Sequence, residues 1–347
     1  MYLRKIILAV LLIGLLIGGI FVYYVYSSFF APNTAFQNKE AYVYIPSEAN
    51  MEDLEEMLTP LLKDFESFEA VAERKQYSER IKGGKYKLLK GMNNNEIINS
   101  LRSANIPVKV SFNNQESLEA LAGRIAQQIE ADSISLLSAF QDKTFLEEQD
   151  ANLETSLGIY IPNSYEFFWN SSAIDFRERM IREYKRFWNE ERLKKAQAKG
   201  LSPKQVVSLA AIVHKESAKI DERPRVAGVY LNRLRKGMPL QADPTVIYAL
   251  KRELNNFDTI IRRVLYKDLT IDSPYNTYKY AGLPPGPITM PDISAVDAVL
   301  NAEDHDYYYF VANVENFGYH KFAKNLQQHN RNKEQYIRWI NSQNINR

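Results

Sequence analysis

A chain of 347 residues exceeds what one ordinary small core needs and suits two domains, while 25% charged and 45% apolar residues exclude a disordered or collagen-like chain. The formal charge of +2 comes from Arg4 and Lys5 at the extreme N-terminus, so the body is neutral and no nucleic-acid partner is expected, that function resting on a basic surface. Cysteine is absent, which excludes disulfides, thiolate metal sites and cysteine nucleophiles.

In chain order, the first element is an uncharged run from Ile6 to Tyr26. At ~1.5 Å per residue it spans roughly 31 Å, the thickness of a bilayer's hydrocarbon core. A cleaved signal peptide is the alternative, but its apolar core is usually ~7–15 residues and ends at a small-residue site. Here the run is longer and closes on Tyr23, Tyr24, Tyr26, Phe29 and Phe30, an interfacial aromatic belt. Arg4 and Lys5 precede the span and no charge follows until Lys39. The expectation is a single-pass anchor of the cytoplasmic (inner) membrane over residues 6–26, with the N-terminus in the cytoplasm and the bulk outside.

Residues 38–155 carry one pattern three times: a β-prone tetrad, a polar turn and an amphipathic helix. The tetrads are Tyr42–Ile45, Tyr86–Leu89 and Val108–Ser111; the helices carry Leu54, Met57 and Leu58, then Ile97, Ile98 and Leu101, then Leu118, Leu121 and Ile125. Asparagines before each helix suit N-capping, and no copy buries a core alone, so the three are expected to share one small α+β module. The second copy, Tyr-x-Leu-x-x-Gly-Met-x-x-x-Glu-Ile-x-x-x-Leu, resembles the start of a LysM module, a peptidoglycan-binding fold; direct glycan binding stays open. The charged stretch from Arg177 to Lys199 reads as one solvated helix face with Met180, Tyr184 and Phe187 beneath it.

Ser202-Pro203 opens a helix with a hydroxyl cap and a proline in the first turn. Seven, four and three residues before Glu216 stand Leu209, Ile212 and Val213. Glu216 thus continues the buried stripe near the helix C-terminus, where desolvation and the helix dipole both disfavour a carboxylate and raise its pKa. That is how a general acid stays protonated near neutral pH. The alternative is a glutamate leaning to solvent and pairing with Lys219 or Arg223. A second helix follows Pro224, with Ala227, Tyr230, Leu231 and Leu234 on its apolar face. Gln241-Ala-Asp243-Pro244-Thr245 offers another capped start, in which Asp243 is either a helix cap or an assisting acid. Five of the fourteen prolines lie between 274 and 291, stiffening a long aromatic loop. Tyr307–Ala312 and Tyr319–Phe322 are expected to pair as a hairpin.

These motifs occur in a characteristic order: Gly158-Ile-Tyr-Ile-Pro-Asn-Ser-Tyr-Glu-Phe167, Leu209-Ala-Ala-Ile-Val-His-Lys-Glu-Ser217, Ala227-Gly-Val-Tyr-Leu-Asn-Arg-Leu234, Leu240-Gln-Ala-Asp-Pro-Thr-Val-Ile-Tyr248, Tyr275-Asn-Thr-Tyr278, Gly282-Leu-Pro-Pro-Gly-Pro-Ile288, Tyr309-Phe-Val-Ala312 and His320-Lys-Phe322, with Asn325 and His329. Together they resemble the endolytic murein transglycosylases of the MltG (YceG-like) type, from about residue 156 to 330. The fold class implied is α+β: a transmembrane helix (1–31), a LysM-like α+β module (38–155) and a mostly helical α+β catalytic domain (156–347). The resemblance implies cleavage of the β-1,4 bond between N-acetylmuramic acid and N-acetylglucosamine without water, leaving 1,6-anhydro ends. The family's acid falls on Glu216. Glu222, Gln241, Asp243, Tyr275, Asn276, Asn313 and Asn325 are the residues expected to touch substrate. Partners implied are peptidoglycan glycan strands and the peptidoglycan synthases (penicillin-binding proteins); no cofactor is implied. Family members often carry glutamate where this chain has His214, which points about 200° away from Glu216 on a helix.

Two rivals remain at this level. The four histidines, His214, His305, His320 and His329, show no zinc-ligand spacing, so no metal is expected. The other rival is a non-catalytic, membrane-tethered peptidoglycan-binding scaffold.

Overall fold

The computed structural model describes residues 2–342, so the outermost residues of the expected 1–31 and 156–347 segments lie outside the described ones. The chain forms two compact units. The first is everything up to Val110 with Gln128–Ala131 and Tyr165–Ser172; the second is Ser111–Gln127, Asp132–Ser164 and everything from Ala173 onward.

The first unit begins with helix α1 (Tyr2–Phe30), whose mean hydropathy of 2.9 makes it long and apolar enough to cross a membrane. Its last turn behaves differently from the rest. Ser28 is buried, Phe29 packs on the unit's core, and the Ser28 carbonyl accepts a hydrogen bond of 2.8 Å from Asn94 Nδ2. Strand β1 (Glu40–Ile45), helices α2 (Met51–Leu58) and α3 (Phe65–Arg74), strand β2 (Gly84–Leu89) and helix α4 (Asn94–Ser103) follow. The strands pair antiparallel with Val43 opposite Tyr86. Their alternation turns Val43, Ile45, Tyr86 and Leu88 inward onto Leu54, Leu58, Phe68, Val71, Ile97 and Ile98. Asn50 and Asn93 cap α2 and α4, each in a capping box with the acid three residues on.

The third repeat goes elsewhere. Its strand β3 (Pro107–Phe112) pairs with β4 (Asn163–Phe168), and the division between the units falls within these two strands. Helix α5 (Leu118–Ala126) is capped by Ser117, not by the preceding asparagines, and packs on α6 (Ser133–Gln141). Short helices α7 (Lys143–Glu148) and α8 (Leu153–Ser156) complete this region. Residues 111–127 and 132–155 therefore pack with the second unit. The charged stretch forms two helices, α9 (Ala173–Phe187) and α10 (Glu190–Ala198), because Asn189 caps a new start by accepting from the Arg192 amide.

Helix α11 (Pro203–Glu216) is the axis of the second unit. Ser202 and Gln205 form its capping box around Pro203. Val206 through Val213 are all buried, as a helix apolar on every side must be. Against it pack α10, α12 (Arg223–Arg235), α13 (Asp243–Glu253) and α14 (Ile293–Leu300). The expected hairpin forms from β5 (Tyr309–Ala312) and β6 (His320–Ala323), with Phe310 opposite Phe322 and Ala312 opposite His320; α15 (Leu326–Ser342) packs on it.

Candidate active site

Glu216 is the last residue of α11, where the all-apolar helix runs out of core. It is partly open to solvent, yet the protein around it is dense enough that burial dominates its titration. Burial pushes its carboxyl up from the ordinary 4.5 to about 7; the Asp243 charge adds to the rise, while the Tyr230 hydrogen bond, His320 and Arg233 oppose it. Its Oε1 accepts a hydrogen bond from Tyr230 Oη at 2.8 Å. The alternative partners are engaged elsewhere: Arg223 bonds the Ser217 carbonyl and Asp292, and Lys219 lies 5.1 Å from the Tyr319 ring centre.

The walls come from three elements and a loop. Helix α12 supplies Tyr230, 2% exposed and edge-on to Phe310 at 5.8 Å between ring centres. One turn on, the buried Arg233 guanidinium donates to the carbonyls of Tyr308 (2.7 Å), Pro239 (3.2 Å) and Leu240 (2.7 Å), so its charge is fixed beside the site. Asp243 is the first residue of α13 but not its cap; its Oδ1 accepts from Tyr278 Oη at 2.6 Å. Burial raises the hydroxyls of both Tyr230 and Tyr278, so both remain donors.

The fourth side is a buried ion-pair lattice. Glu222, its side chain 3% exposed, accepts from the His320 backbone amide (2.7 Å), His320 Nδ1 (2.8 Å) and Ser217 Oγ (3.2 Å). Burial acts to raise its pKa, but the three bonds and the histidine's charge outweigh it and hold Glu222 below the usual range. His214 turns the other way, with Nδ1 3.2 Å from Asp292 Oδ2; that atom makes an ion contact and no well-aligned hydrogen bond. Asp292 also takes two bonds from Arg223 Nη1.

The sequence-derived residues therefore divide. Asp243 and the Glu222–His320 pair gather around Glu216. Gln241 is exposed with its backbone in the left-handed region at φ 52, and its amide donates to the Thr277 carbonyl. Tyr275 and Asn276 are buried and satisfied within the fold: Tyr275 Oη donates to Glu154 (2.5 Å), and Asn276 Nδ2 to the Leu269 and Ile271 carbonyls. They hold the proline-rich loop, so their side chains are not presented to a ligand. Asn313 accepts from Glu315 and Asn316 amides in the hairpin turn, and Asn325 from Gln328 where α15 begins. Tyr230, Arg233, Tyr278 and His320 were not among the residues expected to touch substrate. Asn232 and Arg233 within the otherwise apolar run of residues 226–234 were the available signal, since buried polar side chains must serve a partner.

A hollow of about 740 Å3 in this unit is lined by Glu116, Glu154, Tyr248, Arg252 and Phe257, and Glu216 is not part of its wall. Among the described residues, no cluster of three or more His, Asp or Glu side chains is placed to hold a metal ion.

Comparison with known proteins adds three findings. A family model described as the YceG-like family matches residues 43–335. A Bacillus subtilis protein named endolytic murein transglycosylase is 30% identical over 342 residues, covering 93% of this chain and 91% of that one; a Streptococcus pneumoniae protein of the same name is 27% identical, over 92% of this chain and 62% of that one. The crystal structure of a YceG-like protein from Listeria monocytogenes superposes with a TM-score of 0.56 at 29% identity, covering 84% of this chain and 98% of that one.

Proposed function

The chain belongs to the YceG-like family, and from that membership we propose that it is an endolytic transglycosylase of nascent peptidoglycan, anchored in the cytoplasmic membrane by α1. The reading rests above all on one observation: Glu216 sits where burial keeps its carboxyl protonated up to about pH 7. Such an acid gives its proton to the glycosidic oxygen as the bond from the muramic C1 breaks. The muramic 6-hydroxyl then closes on C1 and leaves a 1,6-anhydro end. In the one-carboxylate form of this reaction, the Glu216 carboxylate takes the hydroxyl's proton in turn.

Asp243 is the second carboxylate whose charge reaches Glu216, and a hydrolase would use such a group to activate water or as a nucleophile. In the transglycosylase reading Asp243 and Gln241 line the glycan path, and Asp243 keeps Glu216 protonated. The strand–helix–helix–strand order of the first unit supports its reading as a LysM-like, glycan-holding module. A wall-cutting enzyme fixed to the membrane would act beside peptidoglycan synthases.

Uncrosslinked glycan incubated with the full-length protein tests the proposal by mass spectrometry. Anhydro-muramic ends are expected from the native protein, and none from Glu216→Gln, with glycan binding retained. Equal products from both would make Glu216 a bystander, and no cleavage by either would leave a binding scaffold.

A further inference from the structure

Two proton transfers are needed in the proposed reaction, one to the leaving oxygen and one from the 6-hydroxyl, and Glu216 is not the only group built to handle a proton at this site. Glu222 is ionised and acceptor-only, so the nitrogen 2.8 Å from its Oε2 must carry the hydrogen: His320 is fixed with Nδ1 protonated. In the neutral ring the lone pair then lies on Nε2. The ring cannot turn away, because the same carboxylate also holds the His320 backbone amide at 2.7 Å, while Phe310 packs edge-on against it at 4.9 Å. Its side chain is 15% exposed. Phe310 also packs edge-on against Tyr230, the donor to Glu216, so a chain of contacts links His320 to the acid. A buried carboxylate that sets the tautomer and orientation of an imidazole is the arrangement of a general base.

We propose that His320 is a second catalytic residue, held by Glu222 so that Nε2 takes the proton of the muramic 6-hydroxyl while Glu216 protonates the glycosidic oxygen. This rests on the transglycosylase reading and changes one step of it. The bond from C1 to the leaving oxygen breaks and the bond from C1 to O6 forms. One proton passes from Glu216 to the leaving oxygen and one from O6 to Nε2. Transfer of that proton from His320 back to Glu216 through solvent resets the site, and nothing is consumed. Neither group has to travel between the two oxygens, and Glu222 is a positioning residue.

The test uses the full-length protein on uncrosslinked glycan. His320→Asn keeps an amide donor for Glu222 but removes the basic nitrogen, so it is expected to melt near the native temperature, keep KM, and lose about 10²–10⁴-fold in kcat for anhydro ends. His320→Ala is expected to regain rate with added imidazole, more with more basic imidazoles, and not with pyrrole, which has the shape without the basic nitrogen. A native-like kcat for His320→Asn, its failure to fold, or rescue of His320→Ala by both additives or by neither would overturn the assignment. If the native protein makes no anhydro ends, the parent reading fails instead; if it makes them and His320→Asn does so equally fast, only this inference fails.

Discussion

At the scale of single residues, Glu216 is governed by opposing neighbours, and each can be removed. Burial raises its pKa, Asp243 raises it further, and Tyr230 lowers it by donating to Oε1. Activity that needs the protonated acid falls as pH rises through about 7. Tyr230→Phe should move that alkaline limb to higher pH and Asp243→Asn to lower pH, as read from kcat/KM profiles; shifts of the same sign would contradict the electrostatic account. Stability follows the same logic with its own sign. Because the folded pKa lies above the ordinary value, protonation stabilises the fold at low pH, and that contribution is lost as pH rises through about 7. Against Glu216→Gln, the native chain should lose on the order of 3 kcal/mol between pH 5 and pH 8, measured by urea unfolding at both. The sequence made this glutamate legible because the apolar residues before it fix its face; it did not reveal Tyr230, which looks like any other core aromatic from periodicity alone.

At the scale of elements, α12 holds the site together through polar side chains that face inward. Arg223 joins the end of α11, through the Ser217 carbonyl, to the start of α14, through Asp292. Removing one partner of a buried pair leaves the other uncompensated, so Arg223→Ala should cost about 3–5 kcal/mol. Arg225 pairs with Glu303 in the open, their side chains 46% and 42% exposed, and Arg225→Ala should cost about 1 kcal/mol or less. Chemical denaturation of the two variants separates these cases. Helix starts were legible wherever a cap followed local rules, as at Ser202, Asn50 and Asn93. Partners were not: the third repeat has the same local pattern as the first two, but its strand pairs with β4, more than fifty residues away, and no local signal specifies such a pairing. The break between α9 and α10 was hidden for a related reason, since charge runs through both helices and only Asn189 marks the new start.

At the scale of the molecule, the apolar helix and the family's ordered motifs were legible because both are long-range regularities of the sequence. The end of α1 was not: its last turn is continuous with the packing of the first unit, through Ser28, Phe29 and Asn94, so the apolar helix and the rest of the unit meet as one folded piece rather than through a linker. The second unit places a carboxyl of raised pKa, Glu216, at the end of its central helix. The central claim is that this carboxyl drives bond breakage without water entering the product. Digestion of uncrosslinked glycan in water enriched in oxygen-18 tests it most directly. The account predicts muramic ends of anhydro mass with no oxygen-18, and none formed by Glu216→Gln; reducing muramic ends carrying oxygen-18 would contradict it.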